Sequence, residues 1–369
     1  MAAVLQCIHQ MGPISKGNIA TKLGVSSVTA HKLVEELCAL GLCVESGDYV
    51  SYGGKKAALY TLNSDYGLIL GLTLSRSGIS ARLSNLFLKT VVSRQISIDP
   101  QNVEQTVAAL ISVSHELVSM AGKPRVIAVG LSVPGSASRY GEQIDLPDYP
   151  QWNSISLGTL ISKELGLPVF ADNDVNALAL SAKWLGPAAG YRDFVCVQIE
   201  NGVGVGAVIG NELLCGATYH AAELGHITLD PKGKLCRCGR RGCLQTHLDE
   251  LAVLKEFDPE LSVDRALEML KNGEKKITRA FDDYLCYVRV AIENVLQVFD
   301  PEAVFLSCPV AQAVPGFSGS LQTPYFEIPS LGSRRRPPIQ MICESAIFEA
   351  AAGAVAFDQL IKNPLTWIG

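Results

Sequence analysis

Glu223-Leu-Gly-His226, followed by Cys236-Arg-Cys238-Gly-Arg-Arg-Gly-Cys243, is the most informative stretch of this 369-residue chain. One imidazole and three thiols within so short a span form a complete Cys3His donor set. That is the ligand count of a closed, tetrahedral structural zinc site. Gly239 and Gly242 let the chain fold back so that the last thiol reaches the first two. Arg237, Arg240 and Arg241 favour the thiolate forms that bind metal. The other eight of the eleven cysteines are scattered, and no charged leader followed by an apolar run opens the chain. In a chain expected to be cytoplasmic, such clustering reads as Zn2+ ligation by His226, Cys236, Cys238 and Cys243 rather than as disulfides. The competing reading is three buried thiols beside an unrelated histidine.

Outward from this segment the chain alternates between apolar strands and amphipathic helices. Leu68–Leu72, Ile79–Leu83 and Val91–Ile98 read as strands, Val103–Ala121 as a helix and Val126–Val133 as a buried strand. A second set opens with strands Phe194–Glu200 and Val205–Ile209. The repeated order predicts an α/β body of two similar lobes with a cleft between them. The first lobe is expected over residues 64–175, completed by a C-terminal helix over 346–361. The second, with the zinc segment, is expected over 176–345.

Residues 1–62 differ in character. Ala2–Met11 reads as a helix stopped by Gly12-Pro13, and Ser15 as the cap of a helix Lys16–Leu23. After Gly24, Ser26 or Ser27 caps a third helix reaching Leu40, with Gly41 ending it. Cys43–Ser46, a Gly47-Asp48 turn and Tyr49–Tyr52 read as a hairpin. Together these make an N-terminal winged helix-turn-helix. Off the apolar stripe, the third helix offers Ser27, Thr29, His31 and Lys32 to base edges or phosphates. Lys55 and Lys56 offer point charges to the DNA backbone. A small dimerisation module of the same shape is the alternative. Five lysines against four acids give this segment a weak basic bias within a chain of net charge −5. At 48% hydrophobic and 18% charged residues the chain is no disordered protein. It also lacks the run of about 18 apolar residues that a membrane span needs, so no membrane partner is expected.

With these motifs in hand, the whole chain resembles the ROK family of repressors, uncharacterised frames and sugar kinases. The carriers are Cys-x-Cys-Gly-x-x-Gly-Cys with the upstream Glu-x-Gly-His, and the winged segment followed by Gly53-Gly54-Lys55-Lys56. The resemblance implies an actin/hexokinase-like (ROK) body and a sugar site. Asp172-Asn173-Asp174-Val175-Asn176-Ala177 matches the family's sugar-contact segment, in which Asp174 holds the position of the kinases' catalytic base. Glu223 and His226 match two further sugar contacts, with His226 also on the metal. For Asp172 and Asp174 the residues alone also allow a helix N-terminal cluster favoured by the macrodipole.

The departures from the family are specific. Gln245 replaces a sugar-holding Glu, keeping hydrogen bonds and losing charge. Thr73-Leu-Ser75-Arg76-Ser77 replaces the Asp-x-Gly-x-Thr turn that serves phosphate and magnesium. Gly202-Val-Gly204-Val-Gly206 survives, but Ser307-Cys308-Pro309 stands where the adenosine pocket's Gly-Gly is expected. Arg334-Arg335-Arg336 reads as a solvated loop.

The resulting expectation is a sugar-responsive repressor, a homo-oligomer (dimer or tetramer) that binds operator DNA. A sugar or sugar phosphate between the lobes of a catalytically eroded kinase-like body would modulate it, with Zn2+ as structural cofactor and no use of ATP–Mg2+. The alternative is an ATP-dependent sugar kinase of the ROK family. A third reading is a binding module that has lost its ligand, toward which Gln245 points.

Overall fold

The computed structural model describes residues 1–52, 55–200, 202–324 and 336–364. The chain divides into two compact units, Met1–Ala189 with Ala346–Gly369, and Gly190–Ser345.

The first unit opens with helix α1 (Ala2–Met11), the two-residue strand β1 (Ile14–Ser15), α2 (Lys16–Leu23) and α3 (Ser27–Ala39). Strands β2 (Cys43–Tyr52) and β3 (Lys55–Leu62) follow. Ser15 Oγ accepts from Asn18 N at 3.2 Å and Ser26 Oγ from Thr29 N at 3.0 Å, so serine hydroxyls start both helices. Gly24 and Gly41 both take positive φ just past helix ends, as helix stops require. Val4, Leu5, Ile8, Ile19, Ala30, Val34 and Leu37 are buried and form the small core of this head. The hairpin expected over 43–52 is not formed. Cys43–Tyr52 is one strand, irregular between Glu45 and Tyr49, and it pairs with β3 instead. Strand β1 adds a third member to that sheet. Gly53 and Gly54, and the side chains of Lys55 and Lys56, lie outside the described residues.

The body of this unit is a five-stranded sheet ordered β10-β7-β4-β5-β6. Strands β4 (Leu68–Ser75), β5 (Gly78–Ser84) and β6 (Thr90–Ser97) form an antiparallel meander. Helix α4 (Val103–Ala121) leads to β7 (Val126–Val133), parallel to β4. A two-strand ribbon, β8 (Ser136–Ala137) with β9 (Ile144–Asp145), precedes α5 (Leu157–Leu165). Strand β10 (Val169–Asn173), parallel to β7, then runs into α6 (Asp174–Leu185). All eight residues of β7 are buried, which is why that strand reads as a continuous apolar run. Edge strand β6 alternates between half-buried and exposed residues. Trp152 is fully buried and its indole N–H donates to the Pro100 carbonyl at 2.8 Å.

The second unit repeats this plan. Strands β11 (Phe194–Ile199), β12 (Val203–Ile209) and β13 (Glu212–Leu213) form the antiparallel part. Helices α7 (Glu250–Phe257), α8 (Val263–Lys271), α9 (Lys275–Ala280) and α10 (Asp282–Phe299) follow the metal-ligand loop. Then come β14 (Ala303–Ser307), α11 (Pro309–Ala313), α12 (Phe317–Ser320) and β15 (Ile339–Met341). The order β13-β12-β11-β14-β15, with β11, β14 and β15 parallel, mirrors the first sheet.

Helix α13 (Ser345–Lys362) returns to the first unit. It lies so close to the sheet that a Cβ on Gly130 would stand 1.8 Å from the Ala352 carbonyl oxygen, and one on Gly71 2.9 Å from Gly353 N. The lobe boundary expected at 175/176 therefore moves to 189/190. Helix α6 packs on β7 and β10, and Trp184 donates to Asp358 of α13 at 3.2 Å, which holds α6 in the first unit. Arg336 is also corrected. It is half-buried, pairing with Glu293 at 2.9 Å and donating to the Leu321 carbonyl at 2.9 Å. Arg334 and Arg335 lie outside the described residues.

Candidate functional site

Leu224–His226 form one 3₁₀ turn and Leu244–His247 another, joined through Leu244 N to the Ile227 carbonyl at 3.0 Å. The intervening loop is pinned by Cys236 N to the Arg240 carbonyl (2.7 Å) and Gly242 N to the Lys234 carbonyl (2.8 Å). Gly242 has φ of +61°, and a Cβ there would stand 1.6 Å from the Asp230 carbonyl oxygen, so no larger residue fits. This fold-back gathers His226, Cys236, Cys238 and Cys243, whose ligand atoms all lie within 4.8 Å of one another. His226 Nδ1 is 3.6 Å from Cys236 Sγ, and Cys238 Sγ is 3.7 Å from Cys243 Sγ. A tetrahedral ion with metal–sulfur bonds of about 2.3 Å places its sulfurs about 3.8 Å apart. Burial and the neighbouring thiols push the Cys243 thiol up to about 12, the behaviour of a sulfur cluster that needs a cation to ionise together. The four residues can hold a metal ion.

The residues expected from the sequence to contact a sugar are divided between the two units. In the first, Asn173 caps α6, its Oδ1 accepting from Asn176 N at 2.6 Å. Asp172 Oδ1 accepts from Asn176 Nδ2 at 2.7 Å and from Asn173 N at 2.9 Å, and Asp174 Oδ1 from Val175 N at 2.9 Å. Desolvation outweighs these hydrogen bonds and pushes the Asp172 carboxyl up to about 6. These hydrogen bonds place all three side chains at the N-terminus of α6. In the second unit, Glu223 opens the 3₁₀ turn of His226, and Gln245 sits in the turn after Cys243. A Cβ on Gly202 would stand 3.5 Å from Gln245 Oε1 and 2.9 Å from Arg237 Nη2, which places both side chains beside Gly202, just before strand β12.

Helix α7 opens on a buried carboxyl, Glu250, that the sequence reading passed over. Glu250 is 5% exposed, and its Oε2 has no hydrogen-bond partner among the described residues. Burial first, then the charges of Glu200 and Asp249, raise its carboxyl to about 7. Cys308 is fully buried, with the Tyr284 hydroxyl 3.8 Å from its sulfur. In the first unit, the turn after Thr73 is closed by Ser75 Oγ donating to the Gly78 carbonyl at 3.1 Å, and Arg76 pairs with Asp148 at 2.6 Å.

On the head, Ser27, Thr29, His31 and Lys32 are all exposed on α3. Thr29 Oγ1 lies 2.8 Å from the capping Ser26 Oγ. Lys16 of α2 pairs with Glu35 and donates to His31 Nδ1 at 3.3 Å, while Lys32 stands 3.9 Å from Glu36. Val28, which the sequence reading left out, is 79% exposed at the second position of α3. An apolar side chain held in water at the start of such a helix suits contact with a thymine methyl.

The sequence profile of the ROK family matches residues 69–322. The chain belongs to the ROK family. It is 26% identical over 325 residues to the xylose repressor of Bacillus subtilis strain 168, covering 87% of this chain and 84% of that one. It is also 26% identical over 275 residues to the N-acetylglucosamine repressor of Escherichia coli O157:H7, covering 74% and 65%. A ROK family transcriptional regulator, described as a homologue of the E. coli MLC protein, superposes with a TM-score of 0.79 at 23% identity, over 100% of this chain and 97% of that one. The ROK hexokinase of Thermus thermophilus superposes with a TM-score of 0.65 at 26% identity, over 78% of this chain and 98% of its own. The body is thus of the hexokinase-like ROK fold, and the hexokinase is matched over nearly all its length by part of this chain. No helix among the described residues is long and apolar enough to cross a membrane.

Proposed function

We propose that this protein is a sugar-responsive transcriptional repressor of the cytoplasm. The observation that carries the reading is a small helical head, with the polar start of α3 exposed, on the same chain as a ROK body. The head acts as a winged helix-turn-helix, α3 entering the major groove with Ser27, Thr29, His31 and Lys32 toward the bases and Lys55 and Lys56 toward phosphate. A homo-oligomer presents two heads to two half-sites. The effector is a sugar or sugar phosphate. Asn173 and Asp174 of the first unit and Glu223, His226 and Gln245 of the second are assigned to its hydroxyls, which suit carboxylate and amide partners.

A Zn2+ ion on His226, Cys236, Cys238 and Cys243 is structural. The donor set is complete without water, as in closed sites. Ligation through Nδ1 fixes the imidazole and leaves Nε2 to a hydroxyl.

The kinase reading is supported by Asp174 and the surviving glycine turn. Against it stand the acidic Glu200 and buried Glu250 near that turn, since neighbouring carboxylates disfavour a triphosphate. Cys308 fills the position of an expected glycine. Asp174, though placed as a base, is assigned to binding alone.

The test is gel-shift titration of the zinc-loaded protein on DNA from upstream of its own gene. D-xylose, D-glucose and N-acetylglucosamine 6-phosphate are added in turn, with ADP release followed in parallel. Specific binding weakened or strengthened by one sugar, with no ADP formed, supports the regulator. Turnover of ATP with a hexose supports the kinase instead.

A further inference from the structure

Helix α6 touches two functional regions of the first unit. Its N-terminus bears Asn173 and Asp174, and its last turn bears Lys183 and Trp184. From Val175 to Trp184 every residue is buried, and its interior holds no glycine or proline. Twelve residues make a rod of about 18 Å. The far end of the rod meets the head. His9 of α1 sets its Nε2–H on the Trp184 carbonyl oxygen at 3.0 Å. Its ring packs edge-on to the Trp184 indole with centroids 5.5 Å apart, and 4.8 Å from the Phe357 ring of α13. Gln10 Nε2 donates to the Ala189 carbonyl at 3.4 Å. Trp184 is itself fixed, edge-on to Phe357 at 5.4 Å and bonded to Asp358. In the head, α1 packs on α2, α3 and β3, so α1 sits between the end of α6 and the helix assigned to DNA.

We propose that α6 is the coupling element of this regulator, and that His9 is the positioning residue through which a sugar at the Asn173–Asp174 end sets the orientation of α3. The inference rests on the regulator reading above. A rigid buried helix moves as a body, so a shift at its capped start is delivered at Trp184, and the aromatic contact passes it to α1. The hydrogen bond makes the contact directional. The accepting carbonyl requires a proton on Nε2, and burial, outweighing this hydrogen bond, favours the neutral ring by lowering the His9 pKa. Coupling between sugar and DNA is a ratio of affinities, separable from either affinity alone.

His9→Ala tests this. The measured quantities are sugar affinity by calorimetry, DNA affinity without sugar, and the factor by which a saturating sugar changes DNA affinity. The probes are D-xylose, D-glucose and N-acetylglucosamine 6-phosphate, on DNA from upstream of the protein's own gene. The expected result is unchanged sugar affinity with a coupling factor reduced at least about fivefold, the low end of ordinary allosteric coupling. Should His9→Ala fail to fold, His9→Gln replaces it, since its amide can still donate but has no ring. A wild-type coupling factor in the variant, with sugar still bound, overturns the inference and leaves the regulator reading intact. If no sugar alters wild-type DNA affinity, the regulator reading fails first and takes this inference with it.

Discussion

Lys183 Nζ and Asp358 Oδ1 stand 3.5 Å apart, with side chains only 4% and 1% exposed. The carboxylate also takes the Trp184 N–H and, through Oδ2, the Lys362 ammonium at 2.8 Å. The Lys183 ammonium in addition lies 4.7 Å from the Trp184 ring centroid. Two charges removed from water in this way are tolerable only together.

Asp358→Ala should therefore destabilise the protein by about 3–5 kcal/mol, because it leaves the Lys183 ammonium buried without its carboxylate. Lys183→Met combined with Asp358→Leu should recover most of the loss. Denaturant unfolding of the two variants and the wild type checks both statements, and a full-sized loss in the double variant would contradict the account.

Asp172 makes stability depend on pH. Its folded value of about 6 lies above the unfolded 3.8, so the stability it contributes is complete below about pH 3.8 and is lost as pH rises through about 6. Asp172→Asn keeps an acceptor oxygen and carries no charge. It should stabilise the protein relative to wild type by on the order of 2 kcal/mol at pH 8, with the gain vanishing by pH 4. Melting temperatures at the two pH values decide it.

Removal of the metal should cost most of the order in the loop from His226 to Cys243. Cys243→Ala should co-purify with little or no zinc and melt well below wild type, since a structural ion's binding energy is folding energy. A variant with undiminished metal content by atomic emission would refute the four-ligand assignment.

Gln245→Glu restores the charge that the family pattern carries at this position. Sugar binding should tighten several-fold, as charged hydrogen bonds exceed neutral ones by about 1 kcal/mol. Calorimetry with the effector sugar reads this directly, and unchanged affinity would remove Gln245 from the contact set.

Gly130→Ala has no room. The added methyl would overlap the Ala352 carbonyl and press on Ala356 N at 3.3 Å, so helix α13 must shift. A loss of about 1–3 kcal/mol is expected in the denaturant midpoint, or more if α13 cannot move.

What the sequence revealed follows from how local each feature is. The four candidate metal ligands lie within one short loop, so their spacing alone marked the cluster that the fold gathers. The serine caps of α2 and α3 and the eight-residue apolar run of β7 were equally plain, because capping and burial act on neighbouring residues. The irregular strand 43–52 was misread as a hairpin because Gly47-Asp48 is good turn chemistry, and only pairing with β3 settles the issue. Arg336 looked like part of a solvated run because its partner Glu293 lies on α10, far back in the chain. Glu250, His9 and the Lys183–Asp358 pair gain their meaning from tertiary neighbours, and no periodicity marks them.

The place of α13 has a consequence for biosynthesis. Asp358, Phe357 and the backbone that covers Gly71 and Gly130 are synthesised only after the whole second unit, yet they complete the unit that contains the head. Until they emerge, Trp184 lacks its acceptor and His9 lacks one of its aromatic neighbours. A nascent chain can have a finished second unit while its first unit still waits for a lid. Nonsense truncation anywhere upstream of α13 should therefore yield a product that quality control destroys, rather than a shortened repressor that occupies its operator without responding to sugar.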